Sequence, residues 1–180
     1  MTTADEEAVD GDDALAPALA AVARHDWAAA LDAARGAHAT SAEEEADRLD
    51  LEAEAAWWLG RLDECITARE AAFHAYDALG DRRRAGQCAV WLWEHHALNA
   101  HPAIAGGWLR RARRSLESDP ECHAYGNLLL REAETAHGSG ELDQAIALAT
   151  EALALGRRLP STDLEAEALQ TTGRILIDRG

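Results

Sequence analysis

The feature that most constrains the fold of this chain is a turn that recurs every 40 residues. Gly60, Ala100 and Gly140 stand at this interval, each closing a helical pattern of apolar residues, and Gly180 continues the phase. The residue five positions after each of the first three turns is small: Cys65, Ala105 and Ala145. A repeat of about this length is typical of proteins in which helix pairs stack on one another. We therefore predict a series of helix-turn-helix repeats.

The composition between the turns favours helices throughout. Alanine dominates there, glycine and proline are sparse, and the 180 residues suffice for about four to five helix pairs. Capping patterns predict four helix starts: Ser41 with Glu44, Asp81 directly after the helix-ending Gly80, Asp119-Pro120-Glu121, and Thr162 with Glu165. The sequence thus predicts an all-α fold of about four pairs followed by a terminal helix.

The first 13 residues differ from the rest of the chain. They contain six carboxylates and no basic residue. A segment of this composition buries too little apolar surface to offset the entropy lost on folding. We predict a disordered acidic leader at residues 1–13 and one helical repeat domain at residues 14–180.

Charge and residue usage exclude several function classes. The net charge of -16 gives a field that repels nucleic-acid phosphates and anionic membranes. All 17 basic residues are arginine, so no lysine-dependent phosphate loop or Schiff base is present. The sequence shows no signal peptide or membrane-spanning run, and its three cysteines form no CxxC pair. We predict a bacterial cytoplasmic protein that is not an enzyme, with no cofactor, metal, direct nucleic-acid partner or membrane contact.

Several segments carry a resemblance to a known repeat family: residues 56–66, 80–84, 107–113, 140–146 and 154–159. Two of these, residues 58–66 and 140–146, resemble the turn and second helix of tetratricopeptide (TPR) repeats. Residues 55–180 are similar to the TPR region of LuxR-type and MalT-like actinobacterial transcription regulators. The resemblance implies a right-handed α-solenoid that acts as a sensor or interaction module. The period is longer than that of a usual TPR and no helix-turn-helix DNA reader is present, so a DNA-binding role is not implied.

Acidic residues recur at equivalent positions of the first helix in successive pairs. Glu54, Glu94 and Glu134 are 40 residues apart, with Arg174 at the next equivalent position. The first helices of TPR-like stacks line a concave groove, so the resemblance implies a ladder of charges along it. Four further residues fall on or near this face: Asp47, Asp50, Trp57 and Trp58. We predict that the groove binds a peptide or partner protein of basic or mixed charge; a solvated polar face, or glutamates paired with arginines inside the repeats, is the alternative interpretation.

The terminal helix supports a second hypothesis. In the repeat phase, Leu169, Ile175 and Leu176 lack the second helix that would cover them. An open end of this kind mates with another subunit or stays solvated. The chain would then be the self-associating regulatory part of a LuxR-like regulator, or a stand-alone relative, forming a homodimer through its last helix.

A third hypothesis rests on the tryptophans and histidines of the third helix pair. Trp91, Trp93 and Trp108 are interpreted as core residues, but a pocket formed by Trp93, His96 and Trp108 would indicate a small-molecule sensor or an enzyme. His95 and His96 are adjacent on a helix and point about 100° apart, so they cannot share a metal ion.

Overall fold

The computed structural model describes residues 14–179, and over this range the chain is all-helical. The acidic leader proposed for residues 1–13 lies outside the described residues. Within them the helices form four pairs and a terminal helix, as the repeat phase predicts. The bounds are α1 Ala16–Ala23, α2 Trp27–Gly36, α3 Ala42–Trp58, α4 Leu62–Leu79, α5 Arg82–Leu98, α6 Pro102–Leu116, α7 His123–Gly138, α8 Leu142–Arg158 and α9 Thr162–Arg179.

The repeat turns share one backbone geometry. Gly60, Ala100 and Gly140 have φ angles of 72°, 55° and 79°, in the left-handed region. The amide of the residue that follows each turn donates to a carbonyl five positions back, as Arg61 does to Ala56 at 2.9 Å. This is the bond pattern of a Schellman motif, which satisfies the last carbonyls of a helix. The 40-residue interval is therefore confirmed at the level of the backbone.

Two of the predicted helix starts are confirmed. The Ser41 side chain accepts from the amide of Glu44 at 3.1 Å, and Asp81 accepts from that of Arg84 at 3.0 Å. Gly80, with φ 76°, ends the helix before Asp81, as expected. Both starts satisfy an amide that would otherwise have no partner.

The other two helix starts require correction. Helix α7 begins at His123 rather than at Asp119-Pro120-Glu121, because the Asp119 carboxylate is bound by Arg83 at 2.6 Å and caps nothing. At α9 the capping side chain is Ser161, one residue before the predicted Thr162. Its hydroxyl accepts from the Leu164 amide at 3.4 Å.

Each helix packs against its neighbours in the chain, and the odd-numbered helices α5, α7 and α9 also touch one another in that order. Alanine occupies many of the contact positions, so the helices approach closely around a smaller number of buried leucines. The largest cluster of buried residues is centred on α4, α5 and α6, where Phe73 meets Trp108 edge to face at 5.1 Å between ring centroids. This packing aligns α5, α7 and α9 along one side of the molecule.

No helix between residues 14 and 179 is both long enough and apolar enough to cross a lipid bilayer. The three cysteines are free and buried.

Candidate functional site

A continuous groove follows the odd-numbered helices from α3 to α9. Three adjoining cavities of about 230, 210 and 250 Å³ form it. Trp91 of α5 borders the first and second cavities, and Glu94 and Arg131 border the second and third. We call the first cavity the tryptophan pocket. It is lined by Asp50, Glu54, Trp57, Trp58, Arg69, Trp91 and His95.

The 40-residue phase determines which side chains reach the groove. Glu54, Glu94, Glu134 and Arg174, the predicted ladder, all line it, on α3, α5, α7 and α9 respectively. Contacts between residues 40 positions apart confirm the alignment: Arg174 Nη2 donates to Glu134 Oε1 at 3.0 Å, and Asn127 donates to Gln87 at 3.3 Å. Equivalent positions of α5, α7 and α9 therefore lie side by side, and α3 joins them at the tryptophan pocket.

The ladder carries mixed charge rather than a free row of carboxylates. Arg131 of α7 contacts Glu134 at 3.2 Å, Glu167 at 2.9 Å and Glu94 at 4.0 Å. Burial raises the pKa of Glu94, while the nearby Arg131 guanidinium opposes that shift. In this part of the groove the alternative stated above, glutamates paired with arginines, describes the arrangement.

Asp47 lies away from the three cavities of the groove. Its Oδ1 accepts from the Tyr76 hydroxyl and from Arg84 Nη1, both at 2.7 Å. These bonds join α3 to α4 and α5, so Asp47 tethers helices. The aspartate one turn later, Asp50, does line the tryptophan pocket.

The floor of the tryptophan pocket is a buried ion pair. Arg69 of α4 is only 7% exposed, and its Nη1 contacts the Asp50 carboxylate. The Cys88 thiol also donates to Asp50, at 3.5 Å. Arg69 Nε, by contrast, is buried without a hydrogen-bond partner among the described residues. Asp50 and Arg69 thus neutralise each other beneath the pocket.

Glu54 is the carboxylate of this pocket that remains unneutralised. Burial raises its pKa, the positive charge of Arg69 opposes that rise, and the negative charge of Asp50 adds a smaller one. No donor within residues 14–179 forms a hydrogen bond to the Glu54 carboxylate, although the side chain is half-buried. A partly desolvated carboxylate without a donor is costly, and a cation placed beside it would lower that cost.

Aromatic rings form the walls. Trp57 stacks on His95 with ring centroids 4.7 Å apart, and Trp58 stacks on Trp27 at 5.3 Å. Each stack covers one face of an indole that borders the pocket and so fixes its orientation. Burial and the nearby Arg69 lower the pKa of His95 to about 4, so its imidazole is neutral at physiological pH. The pocket is therefore preformed and rich in aromatic surface.

Several expectations about the third pair need revision. Trp91 is not a core residue, since it is 36% exposed and lines the groove. Trp108 is buried as predicted. Trp93 is partly buried against the same core cluster that contains Phe73 and Trp108, and its ring also lies under the Arg131 guanidinium. Trp93, His96 and Trp108 line none of the three cavities of the groove, and the third hypothesis stays a prediction.

Sequence reasoning missed three residues of the tryptophan pocket: Arg69, Trp91 and His95. Arg69 belongs to a second helix, and the groove was expected to be lined by first helices alone. A signal was present in the sequence. Arg69 is the one charged residue in the apolar stripe of α4 that runs from Leu62 to Tyr76, so it required a buried partner.

The C-terminal helix presents only part of the expected apolar surface. Ile175 is fully buried against Ala133, Ala136, Ala145 and Ala149, so the expectation that it lies uncovered is wrong. The helix turns this residue towards α7 and α8. Leu169 and Leu176 are 54% and 50% exposed, and Ile177, which was not predicted, is 80% exposed.

Comparisons with known proteins bear on the fold alone. No protein-family model matches the chain, and no curated protein sequence matches it. Among solved structures, the chain is similar to the crystal structure of BtubC (BKLC) from P. vanneervenii, with a TM-score of 0.59 at 12% identity. The similarity covers 90% of this chain and 78% of that one. It supports a helical architecture over nearly the whole chain.

Proposed function

We propose that this chain is a non-catalytic, TPR-like binding module, a right-handed α-solenoid whose groove takes up an extended segment of a peptide or partner protein. The observation that carries the proposal is the groove itself, to which α3, α5, α7 and α9 contribute equivalent positions. Solenoid proteins commonly bind along such a surface because it is long and presents one face from every repeat.

The lining indicates the character of the bound segment. Indole rings supply area at the α3 end, and the six carboxylates of the groove lining outnumber its three cations, Arg69, Arg131 and Arg174. Aromatic side chains dominate the affinity of many interfaces, while charges select the partner and its orientation. A segment with both basic and apolar side chains is complementary to this lining.

The motif resemblance to LuxR-type regulators supports a place for this binding in bacterial transcriptional or signalling regulation. Such a module would act in the cytoplasm through a protein partner and would make no direct contact with nucleic acid. The net charge of -16 repels nucleic-acid phosphates, so a DNA reader would have to come from another chain or domain.

Selection from a random peptide display library, with the full chain as target, tests the proposal. We expect the enriched peptides to bind the wild-type chain and to lose at least about tenfold in affinity for Glu94→Arg, which reverses a groove charge. Glu151→Arg, the same change at an exposed position of α8, is the matched control and should bind as wild type. Equal affinity for Glu94→Arg and wild type, with helicity unchanged, would reject the groove as the binding surface.

The exposed leucines and isoleucine of α9 favour a second candidate, self-association through that helix. Light scattering across a concentration series should then show a dimer that Leu176→Glu together with Ile177→Glu returns to a monomer. Both positions are solvent-exposed, so the fold should tolerate the change. A wild-type chain that stays monomeric at the highest concentration would rule out this candidate.

A further inference from the structure

We propose that the tryptophan pocket is the specificity pocket of the groove and binds the guanidinium group of one arginine side chain in the bound segment. This inference rests on the proposed function, since it assigns a chemical identity to part of the same ligand. It extends that function from a general preference for basic segments to one residue type at one place.

The charge balance of the pocket calls for a cation. Asp50 and Arg69 form an ion pair, and His95 is neutral because of its burial, so Glu54 is the one acidic side chain of the pocket lining with no cation bound to it. An anionic ligand would meet the uncompensated Glu54, while Arg69 Nη1 already contacts Asp50 and the unpartnered Arg69 Nε is buried below the pocket surface. A cation, in contrast, supplies the donors that the Glu54 carboxylate lacks.

The walls favour a guanidinium over an ammonium. Trp57, Trp58 and Trp91 offer indole surface around a volume of about 230 Å³. Cations bind over indole faces, and the planar, weakly hydrated guanidinium both stacks on such faces and pairs with a carboxylate through two parallel hydrogen bonds. An ammonium keeps its hydration more strongly and cannot pair in this bidentate manner.

The position of the pocket fits a side chain that branches from a longer ligand. It lies at the α3 end of the groove, and Trp91 forms the boundary with the next cavity. An extended backbone following α5 and α7 would therefore pass the mouth of the pocket, and a single long side chain would enter it. The stacks of Trp57 on His95 and of Trp58 on Trp27 hold the walls in place before binding.

The test uses N-acetyl-L-arginine methylamide, which carries the side chain without charged termini. Its binding to the full chain is followed through the indole N–H signals of the six tryptophans in NMR spectra. We expect the signals of Trp57, Trp58 and Trp91 to shift and that of the buried Trp108 to stay in place. The citrulline analogue, which has nearly the same shape and no charge, should bind at least about tenfold more weakly. Equal binding of the citrulline and arginine probes, or no shift with arginine, overturns the inference.

Two variants assign the interaction to named groups. Glu54→Gln should reduce arginine affinity at least about tenfold, while Glu151→Gln on the exposed face of α8 should leave it unchanged. Should Glu54→Gln disturb folding, Trp58→Ala serves in its place, because Trp58 is 59% exposed and its removal leaves the core intact. Arginine affinity that survives in the folded variant contradicts the inference.

The outcomes separate this inference from the proposed function. If library selection yields peptides that bind the groove without arginine, and the arginine probe shifts no indole signal, the specificity pocket is wrong and the binding module stands. If no peptide binds and the arginine probe still discriminates against citrulline, the pocket stands as a site for free arginine-like cations and the peptide module is wrong.

Discussion

At the scale of single residues, two glycines allow the helices to approach as closely as they do. A Cβ added to Gly86 of α5 would lie 2.6 Å from Leu116 Cδ2 of α6, and one added to Gly126 of α7 would lie 2.9 Å from Leu164 Cδ1 of α9. Gly86 and Gly126 occupy equivalent positions 40 residues apart. The repeat therefore places a glycine at the position where a leucine of another helix packs directly against the backbone.

We predict that Gly86→Ala destabilises the fold by about 1–3 kcal/mol, because the added Cβ would overlap the fully buried Leu116 side chain. Gly106→Ala is the matched control. The nearest atom to its Cβ is Arg110 Nη1 at 3.6 Å, so the better helix propensity of alanine should stabilise the fold by about 0.5–1 kcal/mol. Urea denaturation gives both values. Equal effects of the two changes would contradict the close approach at Gly86.

His95 makes the stability depend on pH. Its folded pKa of about 4 lies below the ordinary 6.5, so the unfolded chain binds a proton that the folded chain rejects. Stability should fall as the pH drops from 6.5 towards 4, and the imidazole alone accounts for about 3 kcal/mol of that loss.

His95→Phe keeps an aromatic ring against Trp57 and removes the titration. Urea denaturation at neutral pH and near pH 4 should therefore show a smaller loss of stability for the variant than for the wild type. The comparison isolates His95 from the carboxylates, which titrate in both proteins. The same loss in both proteins would show that His95 is accessible to protons in the folded state.

At the scale of elements, the recurrent turn offers an internal comparison. Gly60 and Gly140 adopt the left-handed conformation without steric cost, while Ala100 adopts the same conformation with φ 55° and bears that cost. We predict that Gly140→Ala destabilises the fold by about 1 kcal/mol and that Ala100→Gly stabilises it by up to about 1 kcal/mol. Thermal or urea denaturation measures whether each substitution raises or lowers the stability of the fold. A stabilising Gly140→Ala change would show that the turn does not require positive φ.

The sequence predicts these elements well because their signals are local. Apolar spacing, the turn glycines and the caps at Ser41 and Asp81 each lie within a few residues of the structure that they determine. The start of α7 was missed because Asp119 caps nothing: its partner, Arg83, lies 36 residues away in the chain. A cap predicted from sequence holds only when no distant cation competes for the side chain.

The candidate site is predicted less completely for the same reason. The 40-residue spacing alone predicts that Glu54, Glu94, Glu134 and Arg174 share one groove, because the repeat interval determines which positions align. It does not reveal that Arg131 lies among the carboxylates or that Arg69 reaches the pocket from a second helix. Ile175 was misplaced because the rotation of α9 against its neighbours is set by packing.

At the scale of the whole molecule, the repeat gives the odd-numbered and the even-numbered helices different surfaces. The odd-numbered helices contribute the groove, and the even-numbered helices supply much of the core and the opposite face, apart from Arg69, which reaches into the groove. The ion pairs that line the groove at Arg131 and Arg174 link α5, α7 and α9, so they hold neighbouring repeats in register while leaving a mixed-charge surface. The proposed binding surface and the contacts that hold neighbouring repeats together therefore share one face.

The most direct test of this account is a hydrogen-exchange footprint of the full chain with and without the tightest peptide from the library selection. Exchange reports local opening, so a bound segment slows it where the segment lies. We predict that protection concentrates in α3, α5, α7 and α9 and leaves α4, α6 and α8 nearly unchanged outside the turn around Arg69. Protection confined to α9, or centred on the even-numbered helices, would contradict the assignment of the groove as the binding surface.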